Sequence, residues 1–364
     1  MSSHTINYKM TDPRTKKLAD ILVNYSINVK TGNTILIRFH VDAKPLALEC
    51  YKLILKKGAY AKLKPIVDGF SYEFYKNASE TQLNHVSKME KYESKNIDGH
   101  IFIGGDYNTK EFSNIDPKKV ATRRKVLNPI LKARLKKDNW VLCKYPTHAL
   151  AQDAEMSLSE FEDFLYKATN IEWKKEIKFQ KKIKAYLDKA KHVRITCKDT
   201  DIEFSIKGRQ GIMCCGERNM PDGEVFIAPV EKSTNGKISY SFPAIYGGKE
   251  VTGIKLEFKA GKVIKATAEK NQALLEKMIS IDKGAKFLGE FGIGLNKGLN
   301  KFTRQILFDE KMGGTIHLAL GMAYKEGGGK NDSALHWDMI KDLRKGGIIY
   351  LDGKIFQKNG KFVF

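Results

Sequence analysis

The spacing of apolar residues changes near residue 190, and this change constrains the fold more than any other feature of the chain. Before it, segments with apolar residues every three or four positions alternate with short apolar runs. Strands are predicted at 34–39, 60–67, 100–103 and 140–143, and helices around 18–25, 46–55 and 81–92. Strands that alternate with helices are typical of layered α/β domains, so we expect an α/β N-terminal domain with a largely parallel sheet.

Residues 156–191 contain no strand pattern and predict two helices, the second beginning near Lys174. We assign them to the first domain as a helical bridge, so that this domain spans residues 1–190. Beyond it, short strand patterns are joined by glycine-rich turns, at 192–197, 202–206, 237–242, 254–259 and 263–267. One helix is predicted at 272–281, and two tight turns, Asp352-Gly353 and Asn359-Gly360, predict hairpins at the end of the chain. Residues 191–364 are therefore expected to form a mixed α+β, strand-rich C-terminal domain.

The chain is strongly basic, with 64 Lys and Arg against 42 Asp and Glu and a net charge of +22. Such a balance raises nucleic acid as a partner. The lysines, however, are spread from Lys9 to Lys361 and are not accompanied by an RNP-like, helix-turn-helix or zinc-finger motif. A solvated basic surface is the favoured interpretation, and nucleic-acid binding stays as a less favoured alternative.

The apolar runs are short. The longest, such as 316–322 and 346–351, fall well below the roughly 20 residues of a membrane-spanning helix, so no membrane partner is expected. The polar N-terminal segment, residues 1–9, lacks the apolar core of a secretory signal, which predicts a cytoplasmic protein. The 5 cysteines show no C-x-x-C spacing and are expected to be reduced, so a bound metal would use other ligands.

Two histidine-containing segments near the C-terminus suggest a polar site. Residues 314–321 form a short apolar strand pattern that places Thr315, His317 and Ala319 on one face. In an extended conformation His336 and Asp338 point to the same side, and an imidazole and a carboxylate that converge are suitable ligands for zinc or a similar ion. A hydrogen-bonded core histidine and a surface His-Asp pair are the alternative interpretations.

Two glutamates lie in glycine-rich surroundings. Glu224 follows a Pro/Gly turn at the entry to a strand, and Glu290 lies between glycines in the segment 289–296, which we expect to form tight turns where backbone can approach closely. This segment opens onto no clear helix, so a phosphate-binding loop is disfavoured. Both carboxylates are candidate ligands or bases, although a helix cap or a turn-stabilising role is also possible.

Serine or cysteine catalysis is poorly supported. The chain has no Gly-x-Ser-x-Gly motif, and the adjacent Cys214 and Cys215 have no histidine nearby in sequence. We interpret these two cysteines as small buried apolar residues.

Several long segments occur in an order that resembles one enzyme family. They are residues 219–229, 289–296, 309–321 and 331–340, with a further similar stretch at 145–152. Together they resemble the thermophilic-type metalloaminopeptidases of peptidase family M29, over about residues 10 to 364. The resemblance implies peptide substrates with a free N-terminus, broad specificity for the N-terminal residue, and a homodimer.

The resemblance also implies a set of site residues. Two divalent metal ions per subunit would be held by Glu224, Glu290, His317, His336 and Asp338. Glu290 would be shared between the metals and lie close to the reacting water, and Tyr324 occupies the position of the catalytic tyrosine. Glu310 is a weaker candidate, as a ligand or a neighbour of the ligands.

Amide hydrolysis fits such a ligand set chemically. Two metals can acidify water and polarise the scissile carbonyl, and ligands of O and N type admit zinc, cobalt or manganese. Glu290 would act as the base and Tyr324 would hydrogen-bond the developing oxyanion. A metal-dependent hydrolase of another class, an amidase or a phosphoesterase, would use the same ligands and is an alternative.

Overall fold

The computed structural model describes residues 11–364, and these residues form two compact units. The first comprises residues 11–170 with Gly216–Pro221, and the second comprises Ile171–Cys215 with Asp222–Phe364. The division therefore falls one helix earlier than the boundary predicted near residue 190. The polar segment that argued against a secretory signal lies outside the described residues. Within residues 11–364 no helix is long and apolar enough to cross a membrane.

The helices of the described residues are mostly short. In chain order they are α1 (Pro13–Asp20), α2 (Lys44–Lys56), α3 (Phe70–Asn77), α4 (Glu80–Asn84), α5 (Lys88–Asn96), α6 (Pro117–Leu135), α7 (His148–Asp153), α8 (Leu158–Thr169), α9 (Trp173–Lys189), α10 (Gln272–Ile279) and α11 (Ile306–Asp309). A π-helical segment, Ile21–Ser26, continues α1, and short 3₁₀ turns lie at Val41–Ala43 and Lys325–Gly327.

The strands are concentrated in the second half of the chain. They are β1 (Thr34–His40), β2 (Tyr60–Ile66), β3 (Gly99–Gly104), β4 (Trp140–Lys144), β5 (His192–Cys197), β6 (Thr200–Ser205), β7 (Ile212–Cys214), β8 (Asn219–Met220), β9 (Glu224–Ile227), β10 (Asn235–Ser239), β11 (Ala244–Tyr246), β12 (Lys249–Val251), β13 (Lys255–Lys259), β14 (Lys262–Thr267), β15 (Leu288–Gly294), β16 (Thr315–Gly321), β17 (His336–Asp342), β18 (Ile348–Leu351), β19 (Lys354–Lys358) and β20 (Lys361–Phe362).

The first unit is built on a five-stranded sheet in the order β2-β1-β3-β4-β8. Each neighbouring pair is parallel, which confirms the α/β prediction. Ile35, Leu36 and Ile37 of β1 are completely buried, as is typical of a parallel strand that is covered on both faces.

The prediction of a single helix at 81–92 is wrong, because two helices, α4 and α5, cover this segment. α4 ends at Asn84, His85 is extended, and α5 begins at Lys88. The side chain of Ser87 accepts a hydrogen bond from the backbone N–H of Met89, so it caps a new helix. Local capping therefore overrides the apolar spacing.

The second unit contains two antiparallel sheets and a two-stranded β11-β12 ribbon. The larger sheet has the order β14-β13-β10-β6-β5-β18-β19-β20, and the smaller has the order β17-β16-β15-β9-β7. The hairpins predicted at Asp352-Gly353 and Asn359-Gly360 connect β18 to β19 and β19 to β20, with all four residues at positive φ. The prediction of a mixed, strand-rich region is confirmed.

The segment 289–296 was predicted to form glycine turns, and this is wrong. It is largely strand β15, in which each residue from Leu288 to Gly294 is buried. The glycines serve close packing, because a Cβ added to Gly289 would overlap the backbone carbonyl oxygens of Gly321 and Met322. Phe291 and Ile293 pack into the apolar core, so the opposite face of the sheet carries Glu290 and Gly292.

Candidate metal centre

The five-stranded antiparallel sheet carries acidic and imidazole side chains on one face of four adjacent strands. Its register explains how residues far apart in sequence meet, because strand pairing fixes which side chains are neighbours. The cross-strand pairs are Glu224 with Gly294, His317 with Gly292, Ala319 with Glu290 and with Asp338, and His336 with Gly321. In each of these pairs the partner is Gly or Ala, which leaves room for the larger polar side chain.

Glu224, Glu290 and His317 form the tightest group. Nε2 of His317 lies 3.0 Å from Oε1 of Glu290 and 3.2 Å from Oε2 of Glu224. All three residues are buried, and one potential ligand atom from each lies within 4.8 Å of the others. On the β17 side, Nε2 of His336 lies 3.5 Å from Oδ2 of Asp338 and 3.8 Å from Oε2 of Glu290. The two oxygens of Glu290 therefore face different histidines.

Both histidines are held by backbone carbonyls. Nδ1 of His317 lies 2.9 Å from the carbonyl oxygen of Glu310, and Nδ1 of His336 lies 2.9 Å from that of Met322. A carbonyl oxygen only accepts, so each Nδ1 carries a hydrogen and donates it. Each Nε2 consequently points into the site as the nitrogen available to a metal, which is the usual arrangement around metal-binding histidines.

The imidazole of His317 fits because its cross-strand neighbour has no side chain. A Cβ added to Gly292 would overlap Cε1 and Nε2 of that ring. Gly292 is therefore required for space, and its φ is not in the left-handed region.

The residues present fit a divalent metal. Oε2 of Glu224, Oε2 of Glu290 and Oδ1 of Asp338 are buried and have no hydrogen-bond partner among the described residues. Buried carboxylate oxygens without partners are costly, and a divalent cation would compensate them. The ligand atoms are oxygen and imidazole nitrogen, which suit zinc, cobalt or manganese.

Titration of the site reflects its excess of negative charge. Burial acts to lower the pKa of His317, but the hydrogen bond to Glu290 and the charge of Glu224 outweigh it and raise this pKa to about 10. Burial raises the pKa of Asp338 to about 6, and it also raises the pKa of Glu224. A metal held by Nε2 of His317 would need the neutral imidazole, so its binding would release a proton from this residue and would be favoured as the pH rises.

Lys311 is a charged residue of this site that sequence reasoning missed. Its side chain is completely buried, with Nζ 3.4 Å from Oε1 of Glu224 and in contact with Oε1 of Glu310. Burial acts to lower the pKa of Lys311, but Glu224 and Glu310 raise it well above its usual value, so the ammonium stays charged. No local pattern distinguishes this lysine from the many surface lysines.

Glu310 reaches the site in two ways. Its carboxylate pairs with Lys311, and its backbone carbonyl holds His317. The carboxylate does not belong to the tight group of Glu224, Glu290 and His317. Its position is that of a neighbour of the predicted ligands.

Cys214 lies closer to the charged groups than its interpretation as a small apolar residue anticipated. It forms a second compact group with Asp222 and Glu224, whose potential ligand atoms also lie within 4.8 Å of one another. Burial raises the pKa of Cys214 well above its usual value, so the thiol is protonated. Cys215 is buried as predicted.

Tyr324 lies just beyond β16, with its ring edge-on against His336 at 5.3 Å and tilted against Phe226 at 5.4 Å. The residue is 40% exposed, so a substrate can reach it. Burial and the carboxylates of Glu290 and Asp338 raise the pKa of Tyr324 well above its usual value. The hydroxyl therefore remains a hydrogen-bond donor at neutral pH.

The family model described as "Thermophilic metalloprotease (M29)" matches residues 11–362. The chain belongs to this family. It is a metallo-aminopeptidase by class, and its use of divalent metal follows from the family.

The chain is similar to known proteins over nearly its whole length. Aminopeptidase 2 from Geobacillus stearothermophilus is 24% identical to this chain. The alignment is 392 positions long and covers 93% of this chain and 94% of that protein. The structure of wild-type AmpT from Thermus thermophilus matches with a TM-score of 0.85 and 21% identity, over 96% of this chain and 99% of that chain. A 2,5-dihydroxypyridine dioxygenase from Pseudomonas putida shares the fold with a TM-score of 0.59 and 13% identity, over 98% of both chains.

Gly292→Ala should displace His317 in this metallo-aminopeptidase, because the added methyl group would overlap the imidazole. We expect metal affinity to fall by about 10- to 100-fold, as when the support of a ligand is disturbed. Titration of the metal-free protein with Zn²⁺ under competition from a chelating dye measures this. Gly211→Ala is the matched control, because its nearest new contacts are ordinary ones at 3.4 to 3.7 Å. Equal affinities for both variants would contradict the role of Gly292.

Proposed function

We propose that this metallo-aminopeptidase removes the N-terminal residue from peptides of broad sequence, using two divalent metal ions. The proposed ligands are Glu224, Glu290, His317, His336 and Asp338. The observation that carries the proposal is the convergence of Glu224, Glu290 and His317 within 4.8 Å on a buried sheet face. A homodimer is part of the proposal on the family resemblance alone.

The orientation of Glu290 supports two metals. Its Oε1 faces His317, which also lies beside Glu224, whereas its Oε2 faces His336, which also lies beside Asp338. A carboxylate whose oxygens face two separate donor groups is suited to bridge two cations. Divalent ions held there would lower the pKa of water and polarise the carbonyl of the scissile bond.

Glu290 is the proposed general base. It is 4% exposed, and its Oε2 has no hydrogen-bond partner among the described residues. The carboxylate takes a proton from the attacking water and returns it to the leaving amine. Nε2 of His317 lies 3.0 Å from Oε1 of Glu290, and this contact orients the carboxylate.

Tyr324 is the proposed donor to the oxyanion. Its hydroxyl stays protonated, and its ring packs edge-on against His336. A donor that is positioned before the reaction stabilises the negative charge that develops on the carbonyl oxygen. The surrounding carboxylates also favour binding of the ammonium group at a peptide N-terminus.

Removal of metal should abolish activity, because the proposed mechanism relies on divalent ions to activate water and polarise the carbonyl. Dialysis against a chelator should remove the activity toward aminoacyl arylamides, and added Zn²⁺, Co²⁺ or Mn²⁺ should restore it. His336→Ala and Glu224→Ala should each lose metal content as measured by elemental analysis. Full activity in protein shown to be free of metal would refute the proposed mechanism.

Peptides with a free N-terminus should be shortened one residue at a time from that end. N-acetylated copies of the same peptides should resist, because they lack the ammonium group that the acidic face attracts. Mass spectrometry of timed digests distinguishes peptides shortened from the N-terminus from peptides that stay intact or are cut internally. Cleavage of acetylated peptides at internal bonds at similar rates would show an endopeptidase instead.

Tyr324→Phe should lower kcat by about 10²- to 10³-fold, the usual cost of losing one oxyanion donor. KM should change little, because the hydroxyl acts on the transition state rather than on bound substrate. Metal content should be unchanged. Tyr350→Phe, on β18 of the other sheet, is the matched control. A kcat within about threefold of wild type would assign Tyr324 to packing.

A further inference from the structure

A small cavity opens beside the acidic face, at the β17 edge of the sheet. Its volume is about 110 Å³, and His336 and Asp338 form part of its wall. The remaining wall is largely apolar and includes Ala244, Ile245 and Ile306. The cavity is thus continuous with the proposed metal site but has a different chemical character.

Aromatic packing shapes the wall of this cavity. Phe302 stacks on Phe242 with ring centroids 5.0 Å apart and planes 9° from parallel. Tyr246 packs edge-on against Trp337 with centroids 5.8 Å apart. Rings that are packed against further rings give a cavity of defined width.

Two charged groups of the wall outside the proposed metal site, Arg304 and Asp309, already have partners. Nε of Arg304 donates to Oε1 of Glu250 at 2.8 Å. Oδ1 of Asp309 accepts hydrogen bonds from the backbone N–H of Thr303 at 2.7 Å and from its hydroxyl at 2.8 Å. A charged side chain that entered the cavity would lose its water and would have to compete with these partners, so the cavity favours apolar occupants.

We propose that this cavity binds the side chain of the peptide's N-terminal residue and favours aliphatic side chains of medium size, such as those of valine, leucine and methionine. The inference rests on the proposed function. One carbon atom carries the ammonium group, the side chain and the scissile carbonyl of that residue. When the scissile carbonyl lies between Glu290 and Tyr324, the side chain is attached to the neighbouring Cα atom. It then lies beside His336 and Asp338, where the cavity opens.

The size of the cavity limits the occupant. A closed cavity of about 150 Å³ holds one benzene molecule. The present volume of about 110 Å³ is smaller, so a phenyl or indole ring fits poorly whereas a branched aliphatic chain fits. Specificity is then broad but graded, since each methylene that fits or is missing changes kcat/KM by about 10- to 200-fold.

Two matched tripeptide series test the proposal with the metal-loaded enzyme. One varies the first residue, X-Ala-Ala, and the other varies the second, Ala-X-Ala, with X as Gly, Ala, Val, Leu, Met, Phe, Trp, Lys or Asp. We expect kcat/KM in the first series to be at least about tenfold higher for Leu than for Gly, Trp, Lys or Asp. The second series should vary much less.

A substitution in the wall provides the structural test. Ile306 is 48% exposed, so Ile306→Trp can fill the mouth of the cavity without disturbing the core. The ratio of kcat/KM for Leu-first to Gly-first peptides should fall about tenfold or more, with metal content unchanged. Ile306→Ala should raise the Phe-first to Leu-first ratio. Ile264→Trp, at a 60% exposed position on β14, is the control and should leave both ratios as in wild type.

The outcomes separate the two proposals. If the metal-loaded wild type hydrolyses no peptide in either series, both the proposed function and the assignment of the cavity are wrong. If peptides are cleaved but both Ile306 variants keep the wild-type ratios, only the assignment of the cavity is wrong. If selectivity follows the second residue, the cavity binds the leaving side of the peptide and the proposal is overturned.

Discussion

Buried negative charge is the constraint on which the second unit depends. Glu224 and Glu290 are almost completely buried, and Asp338 lies beside them on the same sheet face. Taking an unpaired carboxylate out of water costs several kcal/mol, so this face is tolerated only because cations compensate it and the other face contributes apolar burial. Phe291, Leu318 and their neighbours supply that burial in the core. The free energy gained by burying the apolar face offsets the cost of burying the carboxylates on the opposite face.

The sequence predicts this arrangement wherever the pattern is local. The alternation of residues along β16 and β17 correctly predicted extended strands that carry His317, His336 and Asp338, because side chains alternate between the two faces of a β-strand. The segment 289–296 misled because its glycines indicate turns in isolation. In the sheet they instead make room for a ring and for carbonyl groups from another strand, which no local pattern records.

Other features depend on contacts between distant residues. The burial of the Lys311 ammonium depends on residues that lie far from it in sequence. In the sequence, this lysine cannot be distinguished from one on the surface. The parallel sheet of the first unit was predictable from the alternation of strands and helices. The break between α4 and α5 was not, since it depends on a single capping hydrogen bond that the backbone N–H of Met89 donates to the Ser87 side chain. The roles of the site residues remain predictions, while the fold and the family are established.

The fold is shared with a dioxygenase as well as with an aminopeptidase, so the backbone does not determine the chemistry. The chemistry of this chain is expected to depend on the polar side chains of one sheet face. Lys311 adds a feature to that set, because its positive charge is tethered to the backbone by covalent bonds. A chelator can withdraw a divalent ion, but it cannot withdraw an ammonium group. If the proposed ions were removed, the ammonium of Lys311 would therefore remain beside Glu224 and Glu310 and would limit the repulsion between their carboxylates.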